Sequence, residues 1–376
     1  MISRGLEEHM KFKGDYITVK IPLKIDGNIN EKELEKRIES VYDSDTRGIV
    51  VLNERGEFLT FVSLEELGNN KGIIKNTKQP IFQGAYGIII TPFLGNGKVD
   101  YEELERQLEY TSQSSIKGLV VCGSTGEFTY LSLEEQKEIM RFSKKIIAGR
   151  KEFICGATSS SCHGTLELLK FIEELGADGA LVAPPYYFPL CDSDVFDFYK
   201  TIASAPGNLP IIAYQIPQCT SGISMNVYQK LLELPRIKGI KNSSGNCLQI
   251  MQQIVLRNET RSDFSVLTGS DESIYALVNC GADGSFTAIG YLYPELISNV
   301  YKNLKNEIGL ECQQTVVKLA ALAGSIPYPL GYKMLGEASG RMKFGKYMQA
   351  VSEDRMNEYK LVKCRMQSVI REKNVK

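Results

Sequence analysis

A lysine stands at the end of a short β-branched run in Arg236-Ile-Lys-Gly-Ile-Lys-Asn-Ser-Ser-Gly245, just before a polar turn closed by glycine. An apolar run bounded by turn residues reads as a buried strand. An ammonium at its end, Lys241, is partly desolvated, which favours loss of the proton. A neutral amine attacks a carbonyl to give a Schiff base, which splits one hard carbon-carbon step into easier ones. A strand-end lysine that snorkels to water fits the same residues, so the role of Lys241 depends on what surrounds it.

Three further stretches bear on that question. Ala213-Tyr214-Gln215-Ile216-Pro217 ends another apolar run with a phenol, which can shuttle a proton to and from a carbinolamine; a core tyrosine with a satisfied hydroxyl fits it too. Gly123-Ser124-Thr125-Gly126-Glu127 sets two hydroxyls in a tight turn of the kind that holds a carboxylate. The same turn also suits an ordinary lead into the capping box Ser132-Leu-Glu-Glu-Gln. Pro184-Pro185-Tyr186-Tyr187-Phe188-Pro189 fixes an aromatic pair between prolines, as a pocket wall, a subunit contact or plain packing.

The totals narrow the chemistry. With 44 Lys and Arg against 45 Asp and Glu in 376 residues, the net charge of -1 gives no field that would favour nucleic acid or an acidic membrane. Only His9 and His163 occur, so a histidine triad or multi-histidine metal site is not expected, and 19 tyrosines make Tyr the natural acid-base group. Nine scattered cysteines with no C-x-x-C pair fit a reduced, cytoplasmic protein. The N-terminus lacks the apolar core of a signal peptide, and no apolar run approaches the roughly 18 residues of a membrane span.

The elements that must position these residues follow from alternation. Short β runs at Tyr86–Thr91, Gly118–Cys122, Phe153–Gly156, Gly179–Ala183, Pro210–Tyr214, Ile237–Lys241, Ser265–Thr268 and Gly284–Thr287 are separated by helical patterns. The helices are expected at Tyr101–Ser112, Leu133–Ile147, Gly164–Leu175, Val195–Ala203, Val227–Leu234, Leu248–Leu256, Ser273–Cys280 and Pro294–Leu304. Eight such units predict an α/β fold, a (β/α)8 TIM barrel over residues 81–305, with Lys241, Tyr214 and the Ser124-Thr125 turn all at the C-terminal ends of strands, where such barrels do chemistry. A doubly wound open sheet is the alternative, though no Gly-x-Gly-x-x-Gly follows a strand. Residues 306–376 read as a C-terminal helical extension, with helices at Gln314–Ala323, Gly331–Ala338 and Glu353–Glu372 that suit packing or oligomer contacts.

Residues 1–80 contain a partial repeat. Sliding the chain by 70 positions superposes Phe12–Phe58 on Phe82–Phe128 with 16 of 47 residues identical, among them Gly14/Gly84, Tyr16/Tyr86 and Gly56-Glu57-Phe58/Gly126-Glu127-Phe128. This predicts a duplicated strand-helix-strand unit joined through a linker at Gly68–Lys78. Its copy of the hydroxyl turn reads Asn53-Glu54-Arg55-Gly56, which lacks both hydroxyls and sets an acid where a carboxylate would bind. The expected reading is a degenerate module that packs on the barrel or mediates assembly.

From Gly84 to about Lys373 the chain resembles the dihydrodipicolinate synthase and N-acetylneuraminate lyase family of Schiff-base-forming lyases. Gly-Ser-Thr-Gly-Glu, Pro-Tyr-Tyr, Tyr-x-Ile-Pro and Gly-Ile-Lys-x-x-Ser-Gly occur in the family's order. The resemblance implies an imine between Lys241 and pyruvate or a related 2-oxo acid, with an aldehyde as second partner and no cofactor or metal. It implies that Tyr214 is the acid-base phenol and that Ser124 and Thr125 bind the carboxylate. Thr125 would also belong to a proton relay that Tyr187 completes from a neighbouring subunit, in a homo-oligomer that is a dimer or a dimer of dimers.

Departures from the family pattern bear on substrate. Where the synthases carry an arginine that grips the aldehyde's carboxylate, Gln218-Cys219-Thr220 stands here, and a neutral thiol makes no bidentate contact. Gly269-Ser270-Asp271-Glu272 matches a stretch that contacts substrate hydroxyls in the sialic acid lyases, although two acids also suit a helix start. Cys219, Ser243 and Asp271 are therefore the candidate substrate-binding positions beyond the core motifs. The leading reading is carbon-carbon bond formation or cleavage, or dehydration of a sugar-derived 2-oxo acid. The alternatives are a genuine 4-hydroxy-tetrahydrodipicolinate synthase and a non-catalytic binding or regulatory relative.

Overall fold

The computed structural model of the protein describes residues 79–375, the strands at 15–20, 46–52 and 58–63, and the single positions 22, 33 and 36. The chain divides into two compact units, Met1–Thr77 and Lys78–Lys376. The turn at 53–56 and the linker at 68–78 lie outside the described residues.

In the first unit, β1 (Asp15–Lys20) pairs in parallel with β2 (Thr46–Leu52), which pairs antiparallel with β3 (Phe58–Ser63). Glu33 and Lys36, between the parallel strands, are helical. The register Tyr16↔Gly48, Ile17↔Ile49, Thr18↔Val50 is that of Tyr86↔Gly118, Gly87↔Leu119, Ile88↔Val120 in the second unit, displaced by the same 70 positions as the sequence match. The two copies diverge after the second strand. Phe58–Ser63 forms a strand, whereas the corresponding Phe128–Tyr130 is a 3-10 turn leading into a helix capped by Ser132.

The second unit is a closed barrel of eight parallel strands. β4 (Gly84–Ile88), β5 (Gly118–Val121), β6 (Glu152–Gly156), β7 (Gly179–Val182), β8 (Ile211–Gln215), β9 (Ile237–Asn242), β10 (Ser265–Thr268) and β11 (Gly284–Thr287) neighbour one another in chain order. Pairing of β11 with β4 closes the ring, which removes the open-sheet alternative. Alternate residues face inward, so Tyr86, Ile88, Val120, Ile154, Leu181, Ile212, Tyr214, Leu267 and Phe286 fill the barrel. The residues between them, such as Leu119, Val121, Ala213 and Ile240, pack against the helical ring.

The helices α1 (Tyr101–Ser112), α2 (Leu133–Ile147), α3 (Cys162–Glu174), α4 (Asp192–Ser204), α5 (Met225–Leu231), α6 (Cys247–Thr260) and α7 (Ile274–Asn279) follow the first seven strands, and α8 (Ala288–Leu292) with α9 (Pro294–Lys302) follows the last. Several begin a residue or more before their apolar periodicity does, because a polar side chain starts them. Ser161, Ser224 and Asn246 each accept a hydrogen bond from the backbone N–H three residues on. The expected capping box at Ser132 and Glu135 forms.

Three helices make the C-terminal extension: α10 (Glu307–Gly324), α11 (Leu330–Ala338) and α12 (Glu353–Glu372). α10 starts seven residues before its expected position, at Glu307 rather than Gln314, because Asn306 caps it. Its early apolar residues Ile308 and Leu310 are exposed, so its first turns carry no amphipathic signal. No helix among the described residues is long and apolar enough to cross a membrane.

Candidate active site

Tyr214 and Lys241 are direct partners in the β8–β9 ladder, and Leu267 on β10 is the partner of Lys241 on its other side. All three point into the barrel. Lys241 is 2% exposed, and its Nζ lies 3.9 Å from the centroid of the Tyr214 ring and 5.7 Å from that of Phe286 on β11. The amine therefore sits in a largely aromatic enclosure at the C-terminal mouth. Space for it comes from Gly269, where a methyl group would come within 1.9 Å of Ser243 Oγ and 2.9 Å of Lys241 Cε. Ser243 and Lys241 thus pack side by side against one glycine, and Gln218 Nε2 donates to the Ser243 carbonyl at 3.0 Å.

The hydroxyl turn leaves β5 through Cys122, whose φ of 54° is left-handed, and Gly156 on β6 makes room for it, since a methyl group there would lie 2.0 Å from the Cys122 carbonyl oxygen. Residues Ser124–Gly126 form a 3-10 turn. Ser124 Oγ lies 3.5 Å from the Tyr214 hydroxyl, so the turn and the phenol face one another across the mouth. Thr125 is buried, and its Oγ1 is 2.8 Å from the hydroxyl of Tyr328.

Tyr328 was not among the residues the sequence singled out. It precedes α11 in the C-terminal extension, and the tripeptide Pro327-Tyr328-Pro329 was the available signal, an aromatic held between prolines like the one at residues 184–189. The extension therefore contributes to the site as well as to packing. Glu127, at the end of the hydroxyl turn, forms a buried ion pair with Lys333 of α11, and the Lys333 ammonium lies 4.6 Å from the Phe93 ring. Burial pushes the Glu127 carboxyl up and the Lys333 ammonium down, each shift partly offset by the partner's charge.

The remaining candidates are distributed around this centre. Asp271 is buried, and its carboxylate accepts hydrogen bonds from Thr287, Tyr332 and the backbone N–H of Ile289. Burial raises it to about 7. Its oxygens thus tie the β10 loop to the β11 loop and to α11. Cys219 is exposed on the loop after β8, with its thiol raised by desolvation at the rim. The structure does not bring Tyr187 to Thr125 within the chain. Tyr187 is 86% exposed with φ 87°, and its ring makes an edge contact with Phe188 at 4.9 Å. The neighbouring Tyr186 bridges to Thr220, which links the loops after β7 and β8. Among the described residues no group of three or more His, Cys, Asp or Glu side chains is placed to hold a metal ion.

A buried amine beside a phenol, with a hydroxyl turn opposite, can add to a carbonyl, exchange protons with the adduct and hold a neighbouring carboxylate. Residues 81–358 match the model of the dihydrodipicolinate synthetase family. The 4-hydroxy-tetrahydrodipicolinate synthase of Kosmotoga olearia is 35% identical over 216 residues, 57% of this chain and 72% of the relative. A DapA-like lyase of Thermococcus kodakarensis is 33% identical over 62% of this chain and 80% of its own length. Of solved structures, dihydrodipicolinate synthase from Aquifex aeolicus superposes with a TM-score of 0.70 at 27% identity, covering 78% of this chain and 99% of that one. The 2-keto 3-deoxygluconate aldolase from Picrophilus torridus gives a TM-score of 0.67 at 27% identity, over 72% of this chain and 99% of the aldolase. The barrel, its mouth and these likenesses agree: the chain is an enzyme of the lyase class and belongs to the dihydrodipicolinate synthetase family.

Proposed function

We propose that Lys241 forms an imine with pyruvate or a related 2-oxo acid and that the resulting enamine makes or breaks a carbon-carbon bond with an aldehyde. The observation that carries this reading is the Tyr214–Lys241 pair, adjacent in the ladder, with the amine 3.9 Å from the phenol ring and the Ser124 hydroxyl 3.5 Å from the phenol oxygen. In this reading the 2-oxo acid rests its carboxylate on the Ser124 and Thr125 hydroxyls, which orients C2 toward Lys241. The neutral amine adds to C2, and Tyr214 passes a proton to the carbinolamine oxygen, which leaves as water. Loss of a proton from C3 of the iminium gives the enamine, whose carbon attacks the aldehyde; the reverse sequence cleaves the bond.

The choice of aldehyde rests on the rim. Cys219, a neutral thiol, favours an aldehyde or sugar-derived 2-oxo acid without a carboxylate at that end, in line with the name of the solved 2-keto 3-deoxygluconate aldolase. The synthase names among the relatives support the other outcome, in which another cation grips aspartate semialdehyde. The exposed Tyr187–Phe188 pair supports a contact with a second copy of the chain. Incubation with pyruvate and borohydride, followed by mass spectrometry, should leave a stable adduct on Lys241. No adduct with any 2-oxo acid would end the imine reading, and an adduct with turnover of aspartate semialdehyde would restore the synthase.

A further inference from the structure

We infer that four amide side chains behind the mouth, Gln215, Asn242, Gln249 and Gln253, form a positioning network that holds the Tyr214 phenol and the Lys241 amine in register. The inference rests on the imine reading above and adds to it residues that touch no substrate. Its first ground is where the strands stop. β8 ends at Gln215 and β9 at Asn242, and these two are ladder partners one step beyond the Tyr214–Lys241 pair. The reacting residues thus stand one position from the end of the ladder, where strands part into loops and backbone pairing gives least support. Successive strand side chains point to opposite faces, so Gln215 and Asn242 turn away from the lumen, into the layer between strands and helices. At the ends of β5 and β7 the outward residues are Val121 and Val182, both in the apolar core. At β8 and β9 they are buried amides.

The second ground is connectivity. Burying an amide costs free energy unless its hydrogen bonds are replaced, and here they are. Asn242 Nδ2 donates to Gln249 Oε1 at 3.2 Å and to Gln253 Oε1 at 3.1 Å, both on α6, and its Oδ1 accepts from the Ser244 N–H at 2.9 Å. Gln215 Oε1 accepts from the Ile223 N–H, and Gln249 Nε2 donates to the Ile223 carbonyl at 3.3 Å. Gln215 Nε2 reaches Gln249 Oε1 at 3.5 Å, which joins the two halves. Of the four amides only Gln253 has a group, its Nε2, without a partner among the described residues. The loop after β8 is therefore held at Ile223 by both its N–H and its C=O, the loop after β9 is held at Ser244, and α6 anchors both. A buried polar network satisfied to this degree rigidifies the elements it joins.

The third ground is what the held backbone carries. The Asn242 carbonyl accepts from the N–H of Gly269, the residue that makes room for Lys241, at 2.8 Å. The Ser243 N–H donates to the Gln215 carbonyl, also at 2.8 Å. Asn242 thus fixes Gly269 through its backbone and the Ser243-Ser244 turn through its side chain. Any displacement of it moves Lys241, Ser243 and Gly269 together. None of the four amides titrates, so this support does not change over the pH range in which an amine and a phenol exchange protons. Because the amides act through Tyr214 and Lys241, they are positioning residues.

The test uses the full-length protein and needs no aldehyde. Exchange of the pyruvate methyl protons with deuterated water, followed by NMR, reads enamine formation directly. Asn242→Leu keeps the size of the side chain and removes its three hydrogen bonds. Its saturated exchange rate should fall about 10- to 100-fold, the cost of misplacing reacting groups by about 1 Å. The pyruvate concentration for half-saturation should stay close to that of wild type, because the hydroxyl turn that would hold the carboxylate follows β5 and lies outside the network. Gln249→Leu, at a half-buried position on α6, should act in the same direction. The double variant should lose less than the product of the two single losses, because the residues work as one unit. Asn242→Asp supplies the rescue. Its protonated carboxyl has the shape of the amide, accepts from Ser244 and donates to one glutamine, whereas the ionised form donates nothing. Its rate relative to wild type should be near unity at low pH and fall as pH rises, while the Asn242→Leu ratio stays flat, a contrast that lost packing alone would not produce. If Asn242→Leu does not fold, Gln249→Leu and Asn242→Asp carry the test. Exchange at the wild-type rate in the leucine variants, or a raised half-saturation with an unchanged saturated rate, overturns the inference. Failure of the wild type itself to be trapped on Lys241 by borohydride with pyruvate would instead overturn the imine reading.

Discussion

Glu127 and Lys333 form a buried ion pair that fastens the turn bearing Ser124 and Thr125 to the helix that begins just after Tyr328. The two residues come from opposite ends of the second unit, so the pair joins the floor of the candidate site to its C-terminal cover. Removing one partner should leave the other as an uncompensated buried charge. Lys333→Met is expected to lower stability by about 3–5 kcal/mol, whereas Glu127→Gln combined with Lys333→Met should lose much less. Urea melts of the two variants check this. Equal losses would mean that the ion pair itself, and not the orphaned charge, sets the cost.

Gly269→Ala tests the packing around the amine. The added methyl would lie 1.9 Å from Ser243 Oγ and 2.9 Å from Lys241 Cε, so both side chains must move. Overpacking of this kind costs about 1–3 kcal/mol, and the variant should fold while forming the pyruvate adduct on Lys241 more slowly. A Gly269→Ala protein trapped as fast as wild type would show that the lysine tolerates displacement.

Tyr214→Phe retains the ring that faces the Lys241 amine and removes the hydroxyl near Ser124. Adduct formation should slow by about 100-fold or more, while prolonged incubation still labels Lys241. An unaltered time course of borohydride trapping would remove Tyr214 from the proton steps.

Asp271 links stability to pH. Burial raises its carboxyl to about 7, above the value near 3.9 of an unfolded aspartate. Between those limits the folded chain holds a proton that the unfolded chain has lost. The contribution of Asp271 is therefore fully present below about pH 4 and is lost as pH rises through about 7. Asp271→Asn removes this dependence, so wild type should lose several kcal/mol relative to the variant between pH 4 and pH 8. Denaturant titrations of both proteins at the two limits measure the difference, and parallel pH curves would place the Asp271 titration back in the ordinary carboxylate range.

Deleting residues 1–80 should leave the Lys241 adduct intact, because the residues assembled at the mouth all lie between Ser124 and Lys333. If the repeat mediates assembly, sedimentation should show a smaller oligomer for the truncated chain. Full activity with an unchanged oligomer would leave residues 1–80 without that role.

Much of this architecture was legible in the sequence because it is locally encoded. Strand and helix periodicities are written in consecutive residues, and their eightfold alternation specifies a barrel. A strand's last inward position is a catalytic address in that fold, so Lys241, Tyr214 and the Ser124-Thr125 turn could be placed at one mouth before any coordinates. The 47-residue match at an offset of 70 is also local pattern, and three strand pairs, Tyr16↔Gly48 to Thr18↔Val50, recur at that offset as Tyr86↔Gly118 to Ile88↔Val120.

Closure was different. Whether the sheet stayed open or joined β11 to β4 depended on pairing between strands about 200 residues apart. Tyr328 reaches Thr125 across 203 positions, and nothing in the periodicity of either segment announces the contact. Asp271 looked like a helix-start acid or a substrate ligand, yet its carboxylate is engaged by Thr287 and Tyr332, groups brought to it by the next strand and by the extension. The sequence by itself therefore determined the eight alternating strand-helix units and the amine, phenol and hydroxyls at the strand ends, because local pattern and strand order suffice for those. Only the tertiary structure decided what covers that mouth and which phenol stands on Thr125, because those contacts arise when distant segments pack and bury their polar groups together.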